Sequence, residues 1–360
     1  MLTGDKVETA RTIGFSCNLL QEGMIIHNVL EKDVEKIRID LDTALVQMAE
    51  DQANFKTIKR GIIVSGDALV TLMPVPELAK KLNDVANSCE AVLCCRVSPK
   101  QKKDIVELVK KNVTHVKTLA IGDGANDVNM ITEAHIGVGI RGVEGQQAAR
   151  ASDYAVGEFK SLRRLIFLYG RESYRRNSVL VLYSFYKNVV LVMPQFWYAI
   201  IFVNMSGVTL YHAYLYQLIN VVYTSIPIML YAIFDRDATD DELEFSPQYY
   251  FPGTKKLYFN TMIFWQWFTF GCLQSVIIVM CCSLLTMQPQ VDGIYPGFWS
   301  FGVLVFTMTI LIPSLRILTF SYSYSFMNIF VLTMSFLLFV LSFLILSSWA
   351  SNEHYQLFSE

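Results

Sequence analysis

Thr118–Ile131 reads TLAIGDGANDVNMI. Thr118–Ile121 is a short apolar run that reads as a buried strand. Gly122 and Gly124 then punctuate a tight turn, and Ala125–Glu133 reads as the opening of a helix. A strand that ends in Gly-Asp-Gly and leads into a helix sets Asp123 at its carboxyl end, where open α/β sheets hold ligands. Asp127 follows about one helical turn later, so both carboxylates can face one crevice. Paired hard oxygen ligands beside a backbone nest suit Mg2+ with a phosphate. Asn126 adds an amide that can donate to a phosphoryl oxygen. The bland alternative is an Asp-rich turn that caps a helix.

Working outward, Arg60–Ser65 and Ala91–Cys95 are apolar strands upstream and Ile136–Ile140 is one downstream. Val7–Gly14 reads as a helix with Gly14 as its C-cap. Glu31–Met48 is amphipathic, with Val34, Ile37, Leu41 and Leu45 on one face, and Gln101–Lys111 forms a helix after Ser98-Pro99. Strands alternating with helices predict a parallel, doubly wound α/β sheet. Gly139 and Gly142 read as turn glycines and Glu144 as a helix cap. Thr3-Gly4-Asp5 by itself is a turn. Lys100, Lys103, Lys110 and Lys111 read as a solvated helix surface.

Composition separates the rest of the chain from this sheet. Of 360 residues, 53% are hydrophobic and 17% charged, a balance that fits a membrane protein with a soluble part. Lys and Arg are scattered, which excludes a nucleic-acid tract. Seven cysteines form no CxxC pair and five histidines no HExxH, so a zinc site is not expected. No signal peptide opens the sequence. Five segments are long and apolar enough to span: about Val179–Val203, Ala213–Phe234, Thr261–Leu285, Phe298–Leu318 and Phe326–Leu346. Arg163, Arg164, Arg171, Arg175 and Arg176 crowd before the first of them. They mark that side as cytoplasmic and suit a stalk or an anionic lipid surface. The loop Asp235–Tyr258 and Arg316 at the end of the fourth span are expected on the same side.

Lys187 is the one charge well inside the first span, at a cost of about 2.5–3.5 kcal/mol, which marks it as functional. Asn188 and Asn220 are expected to share its cavity, while Tyr186 and Tyr223 are read as packing residues. Neither of the first two spans carries an acid before Asp235, which argues against a bound metal ion as cargo. Pro227, Pro194 and Pro313 are expected to let their helices bend.

GDGAND with Met130, MLTGDKVETA at Met1–Ala10, CCRVSPKQK at Cys94–Lys102, IGVGIRGVEGQQAARASD at Ile136–Asp153 and FYKN at Phe185–Asn188 together resemble the type IV P-type ATPases, the phospholipid flippases. The matches run from Met1 to about Asp235 and more loosely to Ala350. The resemblance implies a haloacid-dehalogenase-like phosphorylation domain over 1–160, a basic stalk over 161–178, a transmembrane domain over 179–350 and a tail over 351–360. It implies Mg2+ and ATP as cofactors. Asp123 and Asp127 would be metal ligands, and Asp123, Asp127 and Lys102 catalytic. Thr3, Gly4, Asp5, Arg96, Lys102, Asn126 and Asp127 would contact nucleotide or phosphate, and Lys187, Asn188 and Asn220 would line the lipid headgroup route. A cation near the transferring phosphoryl, as Arg96 and Lys102 would be, stabilises charge that builds up there. Many flippases have Asp-Gly where this chain has Ser65-Gly66, so no ligand role is expected at position 65.

No Asp-Lys-Thr-Gly-Thr and no Asp-Gly-Glu-Thr segment occurs, so the expectation is the C-terminal part of a flippase, beginning inside the phosphorylation domain and one span short of six. The implied activity is ATP-driven phospholipid movement to the cytoplasmic leaflet through an aspartyl-phosphate. Serine or ethanolamine phospholipids, a small two-span accessory subunit and a Golgi, endosomal or plasma membrane location go with it. A non-catalytic, partner-binding membrane protein and a cation pump are the alternatives, while five spans exclude a soluble phosphatase.

Overall fold

Six consecutive buried residues, Arg60–Ser65, require a strand covered on both faces. The computed structural model describes residues 1–53, 58–142, 145–202, 207–288, 295–324 and 326–348. Glu144, the expected end of the first span at Val203 and the tail from Ser351 lie outside them. The chain divides into two units, Met1–Leu162 and Arg163–Glu360.

In the first unit, β1 (Ile25–Val29), β2 (Arg60–Ser65) and β3 (Ala91–Cys95) form an all-parallel sheet in that order. A second parallel sheet has the order β4 (Leu119–Gly122), β5 (Ile136–Ile140) and β6 (Tyr154–Val156). Around them run α1 (Val7–Ser16), α2 (Val34–Ala53), α3 (Gly66–Leu72), α4 (Pro76–Asn87), α5 (Pro99–Asn112), α6 (Val128–Glu133) and α7 (Gln147–Ala151). One face of the first sheet packs Val29, Ile62, Val64 and Cys94 with Ile37, Leu41 and Leu78; the other packs Ile63, Ala91, Leu93 and Cys95 with Ala10 and Leu20.

The single doubly wound sheet expected from the alternation is therefore two three-stranded sheets. The outer edge of β3 is taken by the backbone of Met1–Asp5. Leu2 bridges Cys94 in parallel, and the Thr3 N–H donates to the Cys94 carbonyl at 2.9 Å. Among the described residues no ladder joins that edge to β4. Two glycines also serve differently from expectation. Helix α1 runs past Gly14 to Ser16 and the chain reverses at Asn18, φ 59°; Gly14 instead lets Leu20 pack close, since a Cβ there would lie 3.1 Å from Leu20 Cδ1. Gly139 lies inside β5, where a Cβ would stand 2.5 Å from Ala149 Cα, so its role is the close seating of α7 rather than a turn.

The boundary falls within α8 (Ser161–Arg164), and in the second unit a π turn at Leu165–Gly170 leads into α9 (Arg171–Ile201), which begins eight residues before the expected span. Next come α10 (Ala213–Leu218), α11 (Ser225–Phe234), α12 (Asp240–Phe245), α13 (Phe251–Thr254), α14 (Thr261–Thr286), α15 (Phe298–Phe320) and α16 (Phe326–Ser347). Among the described residues five helical stretches are long and apolar enough to cross a membrane, one of them Ala213–Phe234 as a whole. That second stretch is broken: Ile219–Tyr223 is a π segment and Thr224 leaves the helix at φ −125°. The cause is Pro227, which has no N–H and whose ring clashes with the carbonyl four residues back, at Tyr223. Pro194 and Pro313 sit inside helices that continue through them.

Contacts sort the helix ends. At one end the Asp235 carboxylate accepts from Arg175 Nη1 at 2.8 Å, from the Tyr322 N–H at 2.8 Å and from the Ser323 N–H at 3.1 Å. This gathers the start of α9, the end of α11 and the α15–α16 link. At the other end Tyr198 and Phe202 meet Phe298 and Phe301, and Leu210 lies against Gly302. Tyr186 and Tyr223 are fully buried between the helices, as packing residues are.

Candidate functional site

The carboxyl end of β3 is a knot of backbone. Arg96 follows the strand in the left-handed region, φ 50°. Its N–H donates to the Asp5 carbonyl at 3.0 Å, and the Val97 N–H donates to the Thr3 carbonyl at 3.1 Å. Thr3 Oγ1 donates to Asp5 Oδ2 at 2.7 Å. Thr3, Gly4, Asp5 and Arg96 are thus one group, with the Arg96 side chain exposed. Gly66 is pressed against it: a Cβ there would lie 2.1 Å from the Arg96 carbonyl oxygen. Ser65 caps α3 by accepting from the Ala68 N–H at 3.1 Å.

Helix α5 starts from the same knot. Ser98 and Gln101 form a capping box, with Pro99 in the first turn. Gln101 Nε2 donates to the Gly66 carbonyl at 2.7 Å. The next residue, Lys102, is buried, and its Nζ donates to Asp127 Oδ1 at 2.8 Å. The GDGAND turn is tighter than a plain α-helical opening. Ala125–Asp127 is a 3-10 turn before α6, and Gly122 has no room for a side chain because Asp127 folds back over it. Asp123 follows the end of β4, exposed and packed beside Gly142. Among the described residues its carboxylate has no ion-pair or hydrogen-bond partner. Asn126 is exposed as well.

These residues fit a Mg2+–phosphate more than a protein-caged metal. No group of three or more His, Cys, Asp or Glu is arranged for a metal among the described residues. Asp123 offers a free hard oxygen donor, while Asp127 is already charge-compensated by Lys102. A cation held mainly by one carboxylate, water and substrate phosphate is the habit of Mg2+.

In the second unit Lys187 Nζ donates to Thr224 Oγ1 at 3.1 Å. Thr224 is buried and itself donates to the Ile219 carbonyl at 2.7 Å. Asn188 and Asn220 are exposed, and among the described residues neither hydrogen-bonds Lys187. The reason for Asn188 is angular, since it lies about 100° around the helix from its neighbour. Thr224 was not singled out from sequence; the usable signal was a hydroxyl three residues before a helix-breaking proline.

The arginine cluster is not a free basic surface. Arg163 pairs with Glu244 at 2.9 Å and Arg164 with Asp240 at 3.2 Å. Arg171 pairs with Glu172 and Asp237, Arg175 with Asp235 and Glu172, and Arg176 with Glu172. Glu172 lies within the cluster itself, and the other acids, Asp235, Asp237, Asp240 and Glu244, follow the second span closely in sequence.

Residues 149–360 match the family described as phospholipid-translocating P-type ATPase C-terminal. The chain is 40% identical over 319 residues to phospholipid-transporting ATPase DRS2 of Saccharomyces cerevisiae, covering 87% of this chain and 23% of that protein. It is 35% identical over 361 residues to phospholipid-transporting ATPase IH of Mus musculus, covering 94% and 30%. With phospholipid-transporting ATPase ID of Mus musculus it shares 37% over 341 residues, covering 88% and 28%. It therefore spans under a third of the length of these curated relatives. A match over more than half of its own length, joined to five apolar helices, makes the chain a member of the phospholipid-translocating P-type ATPase C-terminal family.

Proposed function

We propose that the chain is part of an ATP-driven phospholipid translocase that works through an aspartyl-phosphate and moves lipid from the exoplasmic or lumenal leaflet to the cytoplasmic one. The observation that carries this reading is the free Asp123 carboxylate in the same GDGAND turn as the buried Lys102–Asp127 pair. The two parallel sheets are then portions of a haloacid-dehalogenase-like phosphorylation domain. Mg2+ with ATP would supply the transferable phosphoryl and screen its charge. Asp123 would hold the metal. Lys102, fixed by Asp127, keeps a cation beside the phosphoryl without side-chain reorganisation. Thr3, Gly4, Asp5, Arg96 and Asn126 contact nucleotide or phosphate. Lys187 lies on the headgroup route, and the absence of acids from the first two spans supports a lipid cargo over a metal ion. A small two-span accessory subunit and a Golgi, endosomal or plasma membrane setting belong to the same reading.

The test is Asp123→Asn in the natural protein, assayed for phosphoenzyme formed from labelled ATP. Loss of Mg-dependent phosphoenzyme is expected; normal levels overturn the assignment of Asp123.

A further inference from the structure

We propose that Thr224 is a positioning residue for phospholipid capture: it holds the Lys187 ammonium in place, still charged, for the phosphodiester that all glycerophospholipids share. The inference rests on the reading of Lys187 as part of the lipid route.

The geometry assigns each atom of the Thr224 hydroxyl. Its proton goes to the Ile219 carbonyl at 2.7 Å, which also accepts the Thr224 N–H at 3.0 Å. What remains is a lone pair, and Lys187 Nζ donates into it at 3.1 Å. Thr224 is only 1% exposed, so this acceptor is held still by packing. The π segment Ile219–Tyr223 and the break after it set the hydroxyl there. A π segment inside a membrane helix is a frequent mark of a functional site.

The partner's chemistry matters as much as its position. An ammonium has three N–H donors, and a hydroxyl takes one without cancelling the charge. Among the described residues no carboxylate lies within ion-pair distance of Lys187. An aspartate at position 224 would make a tight neutral pair with it and repel an anionic phosphate. Threonine orients the cation and leaves two donors and a full charge for the ligand. The pair therefore selects for the phosphate, and discrimination between headgroups lies elsewhere.

The alternative is that Thr224 only satisfies the Ile219 carbonyl. The two separate in lipid-stimulated ATPase assays of the natural protein, purified whole, with mixed micelles of phosphatidylserine or phosphatidylethanolamine. Thr224→Val keeps the shape and removes the acceptor; it is expected to raise the lipid KM about tenfold for both lipids, with kcat falling less than about twofold. Thr224→Ala, which adds no apolar branch, is expected to give the same shift, and Thr224→Ser to restore the parent KM. A lipid KM unchanged in both truncations, or raised equally in Thr224→Ser, overturns the positioning role. So does a loss confined to kcat. Lys187→Met separates this from the reading beneath it. If stimulation vanishes in Lys187→Met and persists at parent KM in the truncations, Thr224 alone is wrongly assigned. If Lys187→Met responds to lipid normally, the lipid-route reading of Lys187 fails first.

Discussion

A methyl group on Gly122 would lie 2.3 Å from Asp127 Cβ and 2.7 Å from its Oδ2, so this one glycine decides where the Asp127 carboxylate can stand. Gly122→Ala must displace Asp127 from Lys102 or shift the backbone, and overpacking of this kind costs about 1–3 kcal/mol. All five tryptophans fall in the second unit, so their fluorescence is blind to the change. Cys94 reports it instead. Burial pushes its thiol up to about 12, so far less of it is thiolate at pH 8 than of a free cysteine. Alkylation of Cys94 at pH 8 should then follow unfolding of the first unit, while the exposed Cys17 reacts at once. In a urea series the Cys94 midpoint is expected to fall in Gly122→Ala; an unchanged midpoint would mean the close contact is not what holds the turn. Arg316 is fixed by another means. Its guanidinium lies 4.1 to 4.4 Å from the ring centroids of Phe270, Tyr186 and Trp267, so aromatic faces compensate a charge inside the last turns of an apolar helix.

At the scale of elements, the ionic ties between α9 and the segment after α11 carry a pH signature. Asp237 stands outside the apolar stretches. Burial alone would raise its pKa, but the hydrogen bond from Arg171 and the charges of Arg175 and Arg171 outweigh it and hold the carboxyl below the usual range. A carboxyl depressed on folding adds stability that is present above its unfolded pKa, about 3.9, and is lost as pH falls through the folded value. Asp237 is only partly buried and Arg171 keeps Glu172, so removing Asp237 is expected to cost less than the ~3–5 kcal/mol of breaking a fully buried pair. Asp237→Asn should therefore lower the tryptophan-monitored thermal midpoint of the second unit at pH 7, and the gap to the parent should close as pH drops below about 4. A gap that persists into acid would place the effect in packing instead. The sequence could not announce this network, because an acid pairing with an arginine more than sixty residues away leaves no local pattern. What it announced well were strands with long apolar runs, β2 and β3, and helices with a clean period such as α2. It was silent on β1, a half-exposed strand, and on β6, three residues long. It also missed the division into two sheets, because edge pairing is a long-range choice made by Met1–Asp5. The site divides in the same way. Residue types and strand ends were readable at Asp123, Asp127 and Lys102, whereas the Lys187–Thr224 contact depends on where a proline-broken helix resumes.

For the whole second unit, topology follows from which helix ends meet. Asp235 gathers the start of α9, the end of α11 and the α15–α16 link at one end, while Tyr198, Leu210 and Phe298 mark the other. Charge divides along the same line. Arg171, Arg175, Arg176, Arg236, Lys255, Lys256 and Arg316 all belong to the first end, and neither 202–212 nor 287–297 contains a Lys or Arg. By the positive-inside rule the first end of the second unit is predicted to face the cytoplasm. Lys255 and Tyr295 are both exposed and sit in links of opposite sidedness. With Lys255→Cys and Tyr295→Cys, a membrane-impermeant maleimide is expected to label the first only from the cytoplasmic face and the second only from the opposite one. Labelling of both from one face would break the alternation of α11, α14 and α15. Labelling from exchanged faces would keep the alternation and reverse the orientation.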